Sequence, residues 1–288
     1  MRRDDTGREA VNDSQHTVSV GGHRGDFMSL LAASGLWHGW PALQTAVPAN
    51  ASLPTEAHGT TVIAVKYARG VLNVGDRRAT SAMAIMYDRA EKVLALDDHT
   101  LIAIAGSYAK AMEVVRYLRH SFKYFARTQL QEMSLDGKVS EVARAIASNL
   151  PSALQGIGAF IPIVSAWDKD VQEGRIFFYD AMGARFESTE FAVAGSGAER
   201  IRGAFDYIVR TKKPFTAMSL DEALRETLLL LEIAAELDAA TGGTAKVPPV
   251  ARAVTAEGVV DIPEDAIREA ALSVGIAAAS PLNARPKG

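Results

Sequence analysis

His58-Gly59-Thr60-Thr61 stands where a polar leader gives way to the first β-prone run of the chain. Cutting the Gly59–Thr60 bond leaves Thr60 with its hydroxyl and a free α-amine on one residue, so nucleophile and base come already positioned. An α-amine titrates at about pH 7.7 to 8.0. It can therefore take the hydroxyl proton near neutrality, a task for which an internal threonine needs a separate base. Gly-Thr at a strand start is an ordinary dipeptide, and what gives it weight is the spacing downstream.

Asp76-Arg77-Arg78-Ala79-Thr80 begins 16 residues after Thr60, Lys92 lies 32 after it, and the glycine of Ala105-Gly106-Ser107 lies 46 after it. Further on come Gly195-Ser196-Gly197 and Asp238-Ala239-Ala240-Thr241-Gly242-Gly243. In this order the motifs resemble the β-type subunits of the 20S proteasome, a family of N-terminal-nucleophile threonine peptidases, over about Thr60 to Val260. The resemblance implies Thr60 as nucleophile, exposed by cleavage between Gly59 and Thr60, with Asp76 and Lys92 as its acidic and basic partners. It implies the Gly106 N–H as oxyanion-hole donor, and Ser196, Gly197, Asp238 and Thr241 as the group that holds the nucleophile's amine. Thr241 stands where most relatives carry serine, which keeps the hydroxyl, and Ala198 replaces a residue that is often hydroxylated.

Simple electrostatics agrees with these roles. A lysine ammonium beside the α-amine disfavours protonation of that amine, and Asp76 keeps Lys92 charged and oriented. A glycine at a strand end lets the main chain approach a substrate closely. The mapped substrate pocket, Ala79, Ala90, Ile104, Tyr108 and Met112, carries no charge, so an apolar or aromatic residue before the cut is expected, because a charge there is desolvated without a partner.

Composition narrows the alternatives. The chain has 288 residues, 48% of them hydrophobic, and a formal net charge of −3, which supplies a substantial core and gives no basis for charge-driven nucleic-acid binding. The absence of cysteine excludes disulfides, thiolate metal sites and a cysteine nucleophile. The six histidines lack metal-ligand spacing: His16, His23, His38 and His58 fall in the leader, and His99 and His120 stand alone. Gly195-Ser196-Gly197 lacks the G-x-G-x-x-G and G-K-[ST] patterns of a phosphate loop. No uninterrupted apolar run approaches the roughly 20 residues of a membrane-spanning helix, and Phe27–Trp37 follows Arg24 and Asp26 too late to read as a signal peptide. Metal and organic cofactors are therefore not expected, nor a nucleic-acid or membrane partner.

The elements that must position these residues follow from periodicity. Thr61–Lys66 and Val71–Asp76 read as a hairpin across Ala68-Arg69-Gly70, with further strands at Lys92–Leu96 and Leu101–Ala105. Ala111, Val115, Leu118, Phe122 and Phe125 recur at helical steps, and a second helix over 138–150 is expected to stop at Pro151. Strands follow at Ile161–Trp167, Arg175–Asp180 and Phe191–Ala194, then a helix over 198–209. Ser219 and Glu222 form a capping box opening a helix to about Leu237. Strands Val250–Val254 and Val259–Ile262 precede a last helix over 264–273. Phe27–Leu43 reads as a short docking helix. Strand and helix pairs come in blocks, so an α+β architecture is expected: a four-layer αββα sandwich of two antiparallel sheets between helical layers, the Ntn-hydrolase fold of the resembled family.

The expected organisation is a propeptide at 1–59, a peptidase domain at 60–275 and a loose tail at 276–288. The family likeness further implies a homo-oligomeric β ring of seven stacked in pairs, α-subunit rings, an ATP-dependent unfoldase at the entrance, unfolded polypeptide substrates and a cytoplasmic setting. The leader and the Asp-Arg-Arg-Ala-Thr run look most like the actinobacterial type. Two other readings are a non-catalytic ring subunit that keeps its leader and a two-component threonine peptidase of six-membered rings.

Overall fold

Along β2 (Thr61–Tyr67) successive side chains part to opposite faces, and both faces are buried. Val62 and Ala64 join one apolar cluster, while Ile63, Val65 and Tyr67 join another. A strand covered on both sides has no solvent face to mark with polar residues, so the run reads as continuously apolar. The computed structural model of the chain describes residues 57–81 and 84–276, to which all that follows refers.

One five-stranded sheet is ordered β11 (Phe191–Gly195), β2, β3 (Gly70–Gly75), β12 (Val250–Thr255), β13 (Gly258–Asp261), with every neighbour antiparallel. The second is ordered β10 (Arg185–Ser188), β9 (Glu173–Tyr179), β8 (Phe160–Asp168), β7 (Thr100–Gly106), β6 (Val93–Asp97), again antiparallel throughout. Val62, Val71, Val254, Leu101, Ile163 and Ile176 form the apolar seam between the sheets. Helices α1 (Tyr108–Gln129) and α2 (Leu135–Ala153) cover the outer face of the second sheet through Val115, Leu118, Val139 and Val142 on Ile102, Val164 and Phe177. Helices α3 (Ala198–Thr211), α4 (Leu220–Leu237) and α5 (Glu264–Ser273) cover the first, through Ile201, Phe205, Leu228, Leu231 and Ile267 on Ile63, Val65, Leu72 and Val74. Fully burying one such side chain stabilises the fold by about 1.5–3 kcal/mol. This is the αββα sandwich expected from the sequence.

A small third sheet joins β1 (Ala57–His58), β4 (Ala79–Ser81) and β5 (Ala84–Tyr87), with Ala57 opposite Ser81 and His58 opposite Thr80. The sequence reading did not anticipate it, because these segments are short and Ile85, Met86 and Tyr87 are all exposed rather than alternating.

Several boundaries differ from expectation. Pro151 does not end α2: it lies inside the helix, which runs from Leu135 to Ala153. A proline so near the C-terminus removes one N–H from the ladder without breaking the turns before it. The helix also starts before residue 138, because Ser134 accepts the Gly137 N–H at 3.2 Å and caps it. Asp76 and Lys92 flank their strands rather than lying in them, since β3 ends at Gly75 and β6 begins at Val93. The Ser219–Glu222 capping box is present in both directions at the start of α4. Phe27–Leu43 and the tail beyond 276 lie outside the described residues.

Candidate active site

Asp76 lies one residue past β3, at the end of the sheet where β2 begins, and its side chain is sealed from water. Its Oδ1 accepts the Thr61 N–H and the Lys92 ammonium, each at 2.8 Å. Its Oδ2 accepts the N–H groups of Arg78 at 3.0 Å and Gly242 at 2.9 Å. Four donors on two oxygens satisfy a buried carboxylate and fix its orientation.

Lys92 enters from the start of β6 with its side chain only 2% exposed. Besides Asp76, its ammonium donates to the carbonyl oxygen of Gly59 at 2.8 Å and to that of Arg78. Burial pushes the Lys92 ammonium below the ordinary lysine range, and Asp76 pulls it back toward the charged form. The proton is thus held more loosely than the ion pair alone would dictate.

Thr60 is buried just ahead of β2, and its Oγ1 donates to Gly59 O at 2.5 Å. Two donors from different parts of the chain therefore converge on the carbonyl that precedes Thr60. Gly59 reaches this arrangement at φ +103°, and a Cβ there would stand 2.4 Å from Thr80 Oγ1 and 2.9 Å from Ala240 O. Only glycine fits so tight a left-handed position.

Behind Thr60 a second network holds the chain. The Ser196 N–H donates to Thr60 O at 2.9 Å, and Ser196 Oγ donates to Asp238 Oδ2 at 2.5 Å. Thr241 Oγ1 donates to the same Asp238 oxygen at 2.6 Å and meets Thr61 Oγ1 at 2.6 Å, while the Gly197 N–H donates to Thr61 Oγ1 at 3.2 Å. Burial works against the charge of Asp238, yet the hydrogen bonds from Ser196 and Thr241 keep its carboxyl below the ordinary aspartate range. The N–H groups of Ser196 and Gly197 are occupied by the chain's own oxygens, which is a structural use of that glycine-flanked loop.

The structure thus brings Thr60, Asp76, Lys92, Ser196, Gly197, Asp238 and Thr241 around the Gly59–Thr60–Thr61 backbone. Gly106 ends β7, the strand that lies against β1. It adopts φ +100°, and a Cβ would stand 2.4 Å from Ala159 O. Of the mapped pocket residues, Ile104, Tyr108 and Met112 pack in the cluster beneath α1, whereas Ala79 opens β4 and the Ala90 N–H donates to Arg77 O at 2.9 Å. Three residues were given no role from sequence: Thr61, Arg78 and Gly242, all donors to Asp76. Arg78 was visible inside Asp-Arg-Arg-Ala-Thr, but its backbone contacts have no sequence signature. Among the described residues no group of three histidine or acidic side chains could hold a metal, and no helix is long and apolar enough to cross a membrane.

The pattern that defines the family "Proteasome subunit" matches residues 56–248. The chain belongs to the proteasome subunit family. It is 38% identical over 230 residues to the proteasome subunit beta of Acidothermus cellulolyticus, covering 77% of each chain. It is 36% identical over 225 residues to the proteasome subunit beta 2 of Thermomonospora curvata, covering 77% of this chain and 78% of the relative. With the proteasome subunit beta of Streptomyces griseus it shares 33% identity over 237 residues, 79% and 82% of the two chains. These proteasome relatives bear out the likeness to β subunits that the motif order suggested, and they support a peptidase of the proteasome kind.

Proposed function

We propose that the chain is the precursor of a threonine-type endopeptidase, with residues 1–59 as a propeptide, 60–275 as the peptidase and 276–288 as a loose tail. The observation that carries this reading is the convergence of Thr60 Oγ1 and Lys92 Nζ on Gly59 O at 2.5 and 2.8 Å. Lys92 draws electron density from that carbonyl, and the Thr60 hydroxyl already lies against the group whose carbon it would attack.

In the maturation step Thr60 Oγ adds to the Gly59 carbonyl carbon while its proton passes to the departing Thr60 nitrogen. The C–N bond breaks, an ester joins Gly59 to Thr60 Oγ, and water then hydrolyses it to a Gly59 carboxylate and a free Thr60 hydroxyl. The released α-amine becomes the base for peptide substrates. Lys92 opposes protonation of that amine, Ser196, Asp238 and Thr241 fix the backbone beside it, and the Gly106 N–H stabilises the oxyanion. β1 supports a binding mode as well, because it adds to the edge of β4 as an extended peptide would.

Assembly belongs to the same proposal: a β ring of seven stacked in pairs, flanked by α-subunit rings and fed with unfolded chains by an ATP-dependent unfoldase in the cytoplasm. Its test is coexpression with an α subunit, followed by N-terminal sequencing and electron microscopy of the particle. Thr60 as first residue in an active seven-fold particle is expected. Peptide hydrolysis at full rate by uncut chains would overturn the mechanism, and six-fold rings without α subunits would overturn the assembly.

A further inference from the structure

The segment from Asp238 to Pro249 links α4 to β12 without helix or strand, yet it carries Asp238 and Thr241, whose side chains bond Ser196 and the Thr61 hydroxyl beside Thr60. Side-chain anchors must therefore set its position. Gly242 is bound by Asp76, and the Thr244 N–H donates to Glu232 at 2.8 Å. Two further anchors, Arg78 and Lys246, meet at one carboxylate. Asp88 follows β5 and is 19% exposed; its Oδ1 accepts Arg78 Nε at 3.2 Å and its Oδ2 accepts Lys246 Nζ at 2.7 Å. The Arg78 guanidinium turns its Nη1 onto the carbonyl oxygens of Ala239 at 3.2 Å and Thr241 at 3.1 Å.

We propose that Asp88 is a positioning residue of the threonine site, holding the Asp238–Thr241 turn from one side through Arg78 and the far end of the same segment through Lys246. The inference rests on the threonine-peptidase reading. Arg78 is fixed at both ends of its function: its main chain binds Asp76 and Lys92, and its guanidinium binds the turn. Asp88 supplies the countercharge that keeps that guanidinium in place and lets Lys246 stand beside it. Without the carboxylate, two cations face each other across the gap and repel. The turn then loses its registry with Ser196 and Thr61, although no group that touches substrate has changed. Asp88 also closes the β4–β5 hairpin, so the strand edge that β1 occupies and the turn behind Thr60 share one anchor.

The test compares fluorogenic-peptide kinetics of assembled particles carrying Asp88→Asn, Asp88→Glu, Lys246→Ala or Thr60→Ala with the unaltered protein. Displacement of a positioning turn lowers kcat: about tenfold is expected for Asp88→Asn, with KM changed by less than about twofold, and Asp88→Glu should recover most of the rate. Lys246→Ala, at a more exposed partner, should lower kcat about threefold, and it serves as the test if Asp88→Asn does not assemble. Unchanged kcat in Asp88→Asn and Lys246→Ala, a loss confined to KM, or equal losses in the Asn and Glu variants would overturn the proposal. Failure of the underlying reading looks different: Thr60→Ala particles would still hydrolyse peptide.

Discussion

Lys92 Nζ stands 2.8 Å from Gly59 O and 2.8 Å from Asp76 Oδ1, so one buried ammonium bridges the carbonyl before Thr60 and a carboxylate sealed from water. The bridge joins three segments, the residue before Thr60, the turn after β3 and the start of β6. Each is set by a different strand, so the bridge exists only where the ends of β2, β3 and β6 come together.

Replacing Lys92 by Ala removes one partner of a buried ion pair, a change that costs about 3–5 kcal/mol where nothing compensates. Three backbone N–H groups remain on Asp76, so the loss should fall toward the low end of that range and leave a folded chain. Leader removal should stop because the Gly59 carbonyl loses a donor, and peptide hydrolysis should drop by about a thousandfold because without that cut Thr60 has no α-amine to act as base. Urea unfolding, intact mass and peptide turnover measure the three effects, and unchanged turnover would remove Lys92 from the mechanism.

Thr60→Ala should abolish both leader removal and turnover, because one hydroxyl performs both steps, while the apolar clusters stay intact. Thr60→Ser should retain activity. Intact-mass spectrometry and a fluorogenic peptide read the two steps separately.

The carboxyl of Asp238 lies below the ordinary aspartate value of about 3.9 because Ser196 and Thr241 donate to it more than burial opposes its charge. A depressed folded pKa means that this group's contribution to stability is fully present above the unfolded pKa. That contribution is lost as pH falls through the folded pKa. Stability from this network should therefore be constant across neutral pH and decline only in strong acid. Urea midpoints measured against pH should show a shallower acid decline in Asp238→Asn than in the unaltered protein.

Gly106→Ala forces a Cβ to 2.4 Å from Ala159 O and 2.9 Å from Phe160 Cα at a backbone φ of +100°. Strain of this kind costs about 1–3 kcal/mol. The end of β7 must shift, so thermal unfolding should move down and kcat should fall with it. Unchanged kcat would argue against the Gly106 N–H as oxyanion donor.

Peptides ending in an apolar or aromatic residue before the cut should be hydrolysed faster than those ending in Arg or Glu, since none of Ala79, Ala90, Ile104, Tyr108 and Met112 offers a countercharge. A panel of fluorogenic peptides measures this directly. Faster cleavage after Arg or Glu would contradict the pocket assignment.

The layers were readable from sequence because they rest on periodicity. Val62 and Ile63 face different cores, and the helical spacing of Val115 and Leu118 marks the face that α1 buries. Ser219 and Glu222 announce a helix start through local chemistry alone. The β4–β5 hairpin was missed because its side chains make no alternating pattern, and Pro151 misled because its position relative to the helix end decides its effect. In the site, the side chains of Asp76, Lys92, Ser196 and Asp238 were readable by type and order. The N–H groups of Thr61, Arg78 and Gly242 were not, because a main-chain donor is the same in every residue and only the fold aims it.

β2 is an interior strand, flanked by β11 and β3, and the Ser196 N–H reaches back to Thr60 O. Chain ends ordinarily fray, since little holds the last residues of a polypeptide. An end created at Thr60 would already be tied to Ser196 on one side, and Thr61 behind it to Asp76 on the other, from the moment it formed. Its immobility would owe nothing to being bound later by a substrate.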